Sequence, residues 1–231
     1  MQTILFLHGW GGDEKSFTPI LQYFKQHFNC LCPALPMFQS DSIKENPGAP
    51  WTLDDYADFV EEYLDKNDVE KCHIIAHSFG ARVTALLLNK DPKRYGRIVL
   101  TGAAGIRKRS LCVWFKVRVY KLRKRVFKIK KQGGSSDYKK LTDAGKKTFQ
   151  NIITFDLKNE IAKIIHPTLL IFGGKDSATP IKLGKKWQKL SKNSKLIIYK
   201  KSGHFCFIDE HARFIRDAYD FLNTTPTKTT L

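Results

Sequence analysis

In the stretch IIAHSFGAR, residues 74 to 82, a serine stands between an apolar run and a run of small residues, where a hydroxyl has no packing role. A serine hydroxyl is a weak nucleophile at neutral pH. It becomes reactive when a positioned imidazole takes its proton and a carboxylate orients that imidazole. Ser78 therefore needs a histidine and an acid from elsewhere in the chain. KKSGHFCFIDE sets His204 just after an apolar run, and IFGGKDSATP sets Asp176 just after another, with Thr179 and Pro180 placed to cap the helix that follows. The other histidines fit less well: His8 and His77 flank turns, His73 falls within an apolar run, and His27, His166 and His211 read as peripheral. Taken singly, Ser78, Asp176 and His204 are ordinary turn or surface residues. Together they occur in the order Ser, Asp, His, each past the end of a strand-like run, a combination hard to obtain by accident.

Attack on a carbonyl also needs donors for the oxygen that becomes negative. FLHGWGG, residues 6 to 12, ends the first apolar run in backbone free to turn, and it offers the N–H of Trp10; the N–H of Phe79, next to the serine, is the second donor. A glycine-rich turn after a first strand could instead cradle a phosphate. GWGGDE lacks that spacing, however, and brings acids to where the phosphate would sit.

These residues must be held by regular elements. Short apolar runs at 3 to 9, 30 to 35, 71 to 78, 97 to 103, 168 to 174 and 195 to 201, bounded by Gly, Pro or polar residues, predict buried parallel strands. Amphipathic helices are expected from Phe17 to about His27, Thr52 to Asp65 with Thr52 and Asp55 as a capping box, Gly80 to Asn89, Thr179 to Leu190, and Asp209 to Leu222. The alternation predicts an α/β fold with a parallel sheet covered on both faces. Strand, sharp turn and helix around Ser78 would set its hydroxyl above the carboxyl ends of the strands, where open parallel sheets bind ligands. The alternation fails once. About sixty residues separate the fourth and fifth strands, too many for a connection, so residues 104 to 165 are read as a helical lid inserted into a core of 1 to 103 and 166 to 223. Within it Phe115, Val119, Leu122, Val126 and Ile129 keep helical spacing, KQGGSSD is a flexible break, and a second helical part runs through Ile164. Residues 224 to 231 read as a disordered tail.

The 231 residues carry a formal charge of +18, and twelve Lys or Arg with no acid fall between Arg107 and Lys131, inside the lid. The five cysteines, Cys30, Cys32, Cys72, Cys112 and Cys206, form no CxxC pair and have no histidine at metal-ligand spacing, which suits a reduced cytoplasm. The apolar start ILFL is too short to cross a bilayer and lacks the pattern of a secretory leader.

HGWGG, AHSFGA, GGKDSATP and SGHFCFID together resemble the oxyanion turn, nucleophile elbow, acid loop and histidine loop of the α/β-hydrolase superfamily, over nearly the whole chain outside the lid. The resemblance implies Ser78 as nucleophile, Asp176 as acid, His204 as base, Trp10 and Phe79 as oxyanion donors, and neither cofactor nor metal. Ala76 stands where the family usually has glycine, a small-for-small change. The chain begins at what is usually the third strand, implying a trimmed, six-stranded parallel sheet. The HGWG turn with a small lid is similar to the microbial carboxylesterase branch, so hydrolysis of short-to-medium acyl esters or lactones is expected. Carbon-carbon hydrolysis of a diketone, or ligand sensing without turnover, remain alternatives, because one fold hosts all three. The lid would supply the acyl-pocket wall, with Trp114 and Phe115 as its candidate lining. Its charge is either a solvated face or a guide for an anionic partner: an acidic acyl carrier protein, a carboxylated ester or an anionic membrane surface. Nucleic acid ranks last, since no base-reading motif accompanies the charge.

Overall fold

The computed structural model describes residues 1 to 36, 49 to 107 and 141 to 224. The basic run beyond Arg107, Trp114, Phe115, Cys112 and the tail after Thr224 therefore lie outside the described residues. Six strands form one sheet: β1 (Thr3–Leu7), β2 (Asn29–Leu31), β3 (Cys72–His77), β4 (Tyr95–Thr101), β5 (Thr168–Gly173) and β6 (Ser194–Tyr199), in the order β2-β1-β3-β4-β5-β6. Every pairing is parallel, so all six carboxyl ends share one edge. β2 is shorter than the expected 30 to 35. Pro33 and Pro36 have no N–H to give a ladder, and the N–H of Leu35 donates to His8 Nε2 at 3.0 Å instead.

Alternate side chains leave the sheet on opposite faces. Leu5, Leu7, Ile74 and Ala76 pack under α2 (Leu53–Asp65), α3 (Phe79–Lys90) and α6 (Ile181–Leu190), where Trp187 is fully buried. Ile4, Phe6, Ile75 and Val99 pack on the other face under α1 (Thr18–Phe24), α7 (Cys206–Asp209) and α8 (His211–Asn223). Full burial of each such side chain is worth roughly 1.5–3 kcal/mol, and two apolar layers hold the central strands between them. The capping box at the start of α2 is present: Thr52 Oγ1 accepts from Asp55 N–H, and Asp55 Oδ2 accepts from Thr52 N–H at 2.6 Å.

One helix departs from expectation. The last one is split at Glu210, whose backbone leaves helical geometry while its carboxylate accepts from the Ser202 hydroxyl at 2.7 Å and from Arg213 at 3.0 Å. Its first piece, α7, thus begins two residues after His204. The second helical part expected through Ile164 consists of α4 (Asp143–Thr154) and α5 (Lys158–Ala162). The buried Arg82 guanidinium, reaching out from α3, donates to the carbonyls of Ile152 and Phe155 at 2.8 and 3.1 Å and closes the end of α4.

α3 starts unusually close to β1. A Cβ on Gly80 would lie 2.2 Å from the carbonyl oxygen of Leu7, a strand atom held in the ladder. Gly80→Ala is expected to destabilise the fold by about 2–3 kcal/mol through overpacking. Urea denaturation should show a lower midpoint with an unchanged slope; an unchanged midpoint would mean that the close approach carries no constraint.

Candidate active site

β3 ends at His77, α3 begins at Phe79, and the single residue between them makes the turn. Ser78 has φ 48° and ψ −102°, a conformation that side chains rarely adopt. Its backbone is fastened on both sides: its N–H donates to Thr101 O at 3.0 Å, and its carbonyl accepts from Ala81 and Ala104 N–H at 3.2 Å each. The side chain is left at the carboxyl edge of the sheet and forms no hydrogen bond among the described residues.

Asp176 follows β5 and is buried; His204 follows β6. His204 Nδ1–H donates to Asp176 Oδ2 at 2.7 Å, which leaves Nε2 as the unprotonated nitrogen of a neutral ring. Thr179 does not cap α6, whose N-cap is Pro180 with no side-chain cap bond. Its N–H donates to Asp176 Oδ1 at 2.8 Å and its hydroxyl to Oδ2 at 2.6 Å, with the Gly102 carbonyl a second acceptor at 3.0 Å. Burial alone would raise the Asp176 carboxyl. The hydrogen bonds from His204 and Thr179 outweigh it and hold the group below the ordinary carboxylate range. Gly102, at φ 54°, packs against the imidazole, and a Cβ there would sit 3.1 Å from both His204 Nδ1 and Cε1.

Ser78 and His204 line one cavity of about 330 Å³, together with the Gly9–Gly12 turn, His77 and the rings of Phe205 and Phe207. No hydrogen bond joins Ser78 Oγ to His204 among the described residues. Trp10 belongs to the same wall, its ring packed edge-on against Phe79 at 5.4 Å and against Phe149 of α4 at 5.4 Å. Phe79 is the first residue of α3, so its N–H has no partner within the helix. Turn and helix start therefore bring both expected donors to the edge where Ser78 stands. Among the described residues no group of three or more His, Cys, Asp or Glu could hold a metal ion.

His77 has a place here that its position in the sequence does not reveal. Its ring packs against those of His204, Phe205 and Phe207 at 4.6, 4.9 and 5.2 Å, and its Nε2 lies 3.2 Å from the His204 carbonyl, which accepts from it. Burial first, and then the neighbouring His204, push His77 down to about 3, so the ring is neutral. His8 is also lowered by burial, and its Nε2 accepts from Leu35 N–H. His166, read as peripheral, is buried, with Nε2–H donating to Pro92 O at 2.8 Å. The one sequence signal for His77 was adjacency to Ser78.

The buried, neutral His77 links pH to stability. Unfolded, its imidazole takes up a proton near pH 6.5; folded, only near pH 3. Between those values the unfolded state holds the extra proton, so stability falls as pH is lowered, by at most about 1.4 kcal/mol per pH unit from this residue. Above pH 6.5 its contribution is complete. Asp176 adds its own loss lower, as pH falls through its depressed folded value. Urea denaturation from pH 6.5 to 4.5 should therefore give a shallower acid slope for His77→Gln than for the parent, His8 and His73, both also lowered, contributing to the remainder. Equal slopes would place the titration elsewhere.

The comparisons agree with this architecture. The family model described as alpha/beta hydrolase fold matches residues 2–112 and 108–211. The pimeloyl-[acyl-carrier protein] methyl ester esterase of Pseudoalteromonas atlantica is 26% identical over 242 residues, covering 92% of this chain and 91% of that protein. Other curated relatives align over between 26% and 75% of their own length, and the chain spans only 27% of a dihydrolipoyllysine-residue acetyltransferase component of Cupriavidus necator. Among solved structures, the meta-cleavage product hydrolase of Pseudomonas fluorescens IP01 superimposes with a TM-score of 0.74 at 20% identity, over 96% of this chain and 91% of that one. The enol-lactonase of Burkholderia xenovorans LB400 does so with a TM-score of 0.73 at 18% identity, over 96% and 92%. At such identities the structural likeness is one of fold. With the family model spanning most of its length and a six-stranded parallel sheet carrying the expected turns, the chain belongs to the α/β-hydrolase fold family.

Proposed function

We propose that the chain is a serine hydrolase of carboxylic esters, acting on short-to-medium acyl esters or lactones through an acyl-enzyme. The observation that carries this reading is the His204–Asp176 hydrogen bond of 2.7 Å in a cavity shared with Ser78, itself held at φ 48° on a strand-to-helix turn. In the proposed reaction His204 Nε2 takes the proton from Ser78 Oγ as that oxygen bonds to the ester carbonyl carbon. The carbonyl oxygen, now negative, accepts from the N–H groups of Trp10 and Phe79. Collapse breaks the bond to the alcohol, which leaves with the proton from His204, and a water molecule, deprotonated by the same imidazole, releases the acid and restores Ser78. Asp176 holds the ring in the tautomer this requires and stabilises the imidazolium as it forms. The methyl ester esterase relative supports an acyl chain borne on an acidic carrier protein as one candidate substrate, and the acid-free basic run from Arg107 to Lys131 suits such a partner.

A panel of p-nitrophenyl esters and lactones of graded chain length and ring size tests the reaction. Ser78→Ala should lower kcat by about 10⁴-fold or more and abolish labelling by a fluorophosphonate, while Asp176→Asn, which favours the wrong tautomer, should cost about 10⁴-fold. Retained activity in Ser78→Ala, or a fluorophosphonate that leaves Ser78 unmodified, would overturn the assignment. Turnover near background with tight ligand binding would point to a sensor, and cleavage of a diketone without ester turnover to a carbon-carbon hydrolase. Removing the Thr179 hydroxyl takes a charge-assisted bond from Asp176, so Thr179→Val should lower kcat/KM about ten-fold and Thr179→Ser should recover most of it. Binding of an acidic acyl carrier should weaken steeply between low and high salt; binding indifferent to salt would remove the electrostatic role of the basic run.

A further inference from the structure

The amino ends of the strands, the edge opposite Ser78, carry two grooves of about 350 and 630 Å³ that share Gln2, His73, Tyr95 and Gly96 and so run into one another. Along β3, His73 stands five residues before Ser78, about 17 Å at 3.3 Å per residue. Lys71, Lys93, Arg94 and Arg97 line the combined cleft, and among the described residues no Asp or Glu does. Arg94 is committed to Asp65 at 2.7 Å and to the Val69 carbonyl. Arg97 makes no ion pair among the described residues; its guanidinium lies over the Phe221 ring at 5.3 Å, which orients it without neutralising it.

His73 is fixed beside it. The N–H of Arg97 donates to His73 Nδ1 at 2.9 Å, so Nδ1 is the acceptor and Nε2 carries the proton. The ring lies flush on Gly96, where a Cβ would come within 2.6 Å of Nδ1. Burial and the neighbouring Arg97 both lower His73, which keeps it a neutral donor. The larger groove also offers apolar surface on Tyr95, Pro92, Leu222 and Ile165, the last 70% exposed, beside the polar Gln2, His166, Asn223 and Thr224. An unpaired guanidinium, an oriented imidazole N–H and an apolar wall within a volume typical of small-molecule sites make up a receptor for a negative head on an apolar body.

We propose that this cleft is a second binding site, for a small organic anion with a carboxylate or phosphate head held by Arg97 and His73 Nε2–H and an apolar body lying on Ile165, Leu222 and Pro92. It is separate from the cavity that holds Ser78 and does not depend on the reaction assigned there.

The imidazole ¹⁵N resonances of the full chain provide the test, because His73 and His204 report on opposite ends of the sheet. Titration with hexyl phosphate or hexanoate should shift the His73 resonances saturably, and the two probes separate a phosphate from a carboxylate preference. Arg97→Gln should weaken the apparent Kd about 10- to 100-fold, the range expected for loss of a charge-assisted contact. Gly96→Ala, which displaces the ring at unchanged charge, should weaken binding comparably; His73→Gln, which removes the ring, serves if that variant is poorly folded. The proposal is overturned if His73 does not respond at millimolar probe, if only His204 responds, if Arg97→Gln binds as tightly as the parent, or if 1-hexanol binds as well as the anions.

Discussion

The structure turns on one backbone conformation. A serine at φ 48° and ψ −102° costs about 1–3 kcal/mol relative to an ordinary one. It persists because its surroundings leave the chain no alternative. β3 must end at His77 to keep its pairing with Thr101, and α3 must begin at once to bring Gly80 against Leu7. The Ser78 carbonyl holds both its own helix, through Ala81, and the start of the insertion, through Ala104. Relaxing the turn would break three backbone hydrogen bonds and pull α3 off β1. The strain is held by packing and not by any contact of the hydroxyl, which is why that hydroxyl remains available at the edge of the sheet.

Most of the fold was legible because its signals are local. Apolar runs bounded by Gly and Pro marked all six strands, and a parallel sheet followed from the helices between them. What could not be read were contacts set by tertiary neighbours. Thr179 has the sequence position of a helix cap, yet its hydroxyl and N–H both donate to Asp176, since a buried carboxylate accepts strongly from both, whereas as a cap the hydroxyl would only accept from an exposed backbone N–H. The last helix looks continuous from Asp209, but Glu210 leaves helical geometry to meet Ser202 and Arg213. Ser78, Asp176 and His204 could be paired from chain order and strand ends alone. The place of His77 could not be read, because it depends on the His204 loop folding back over it from more than a hundred residues away.

That fold-back gives the site a defined electrostatic pattern. Three imidazoles, His8, His77 and His204, gather at one edge of the sheet, and three mobile charges there would oppose one another. Burial lowers His8 and His77, and each is bonded in a single tautomer, one to the Leu35 N–H and one to the His204 carbonyl. His204 alone has a carboxylate partner, with Asp176 kept ionised by donors on both of its oxygens. Protonation at this edge is therefore resisted at His8 and His77.

The two ends of the sheet show how one topology separates different chemistries. Parallel strands place every carboxyl end together, and the turns that follow β1, β3, β5 and β6 are the ones that carry the glycine turn, Ser78, Asp176 and His204. Every amino end is then gathered at the opposite edge, where the chain enters the strands through Gln2, Lys71, Arg94 and Pro167. The acids there are spent on the flank: Asp65 and Glu61 of α2 bind Arg94 and the Tyr95 hydroxyl. Among the described residues Lys71, Lys93 and Arg97, which line the cleft, form no ion pair. An uncompensated positive cleft costs little while water fills it, and it attracts anions over roughly a Debye length, about 8–10 Å at ordinary ionic strength. The strand length that keeps this cleft from Ser78 exceeds that distance, so through solvent its field is largely screened before it reaches the other edge, and the two ends can bind independently.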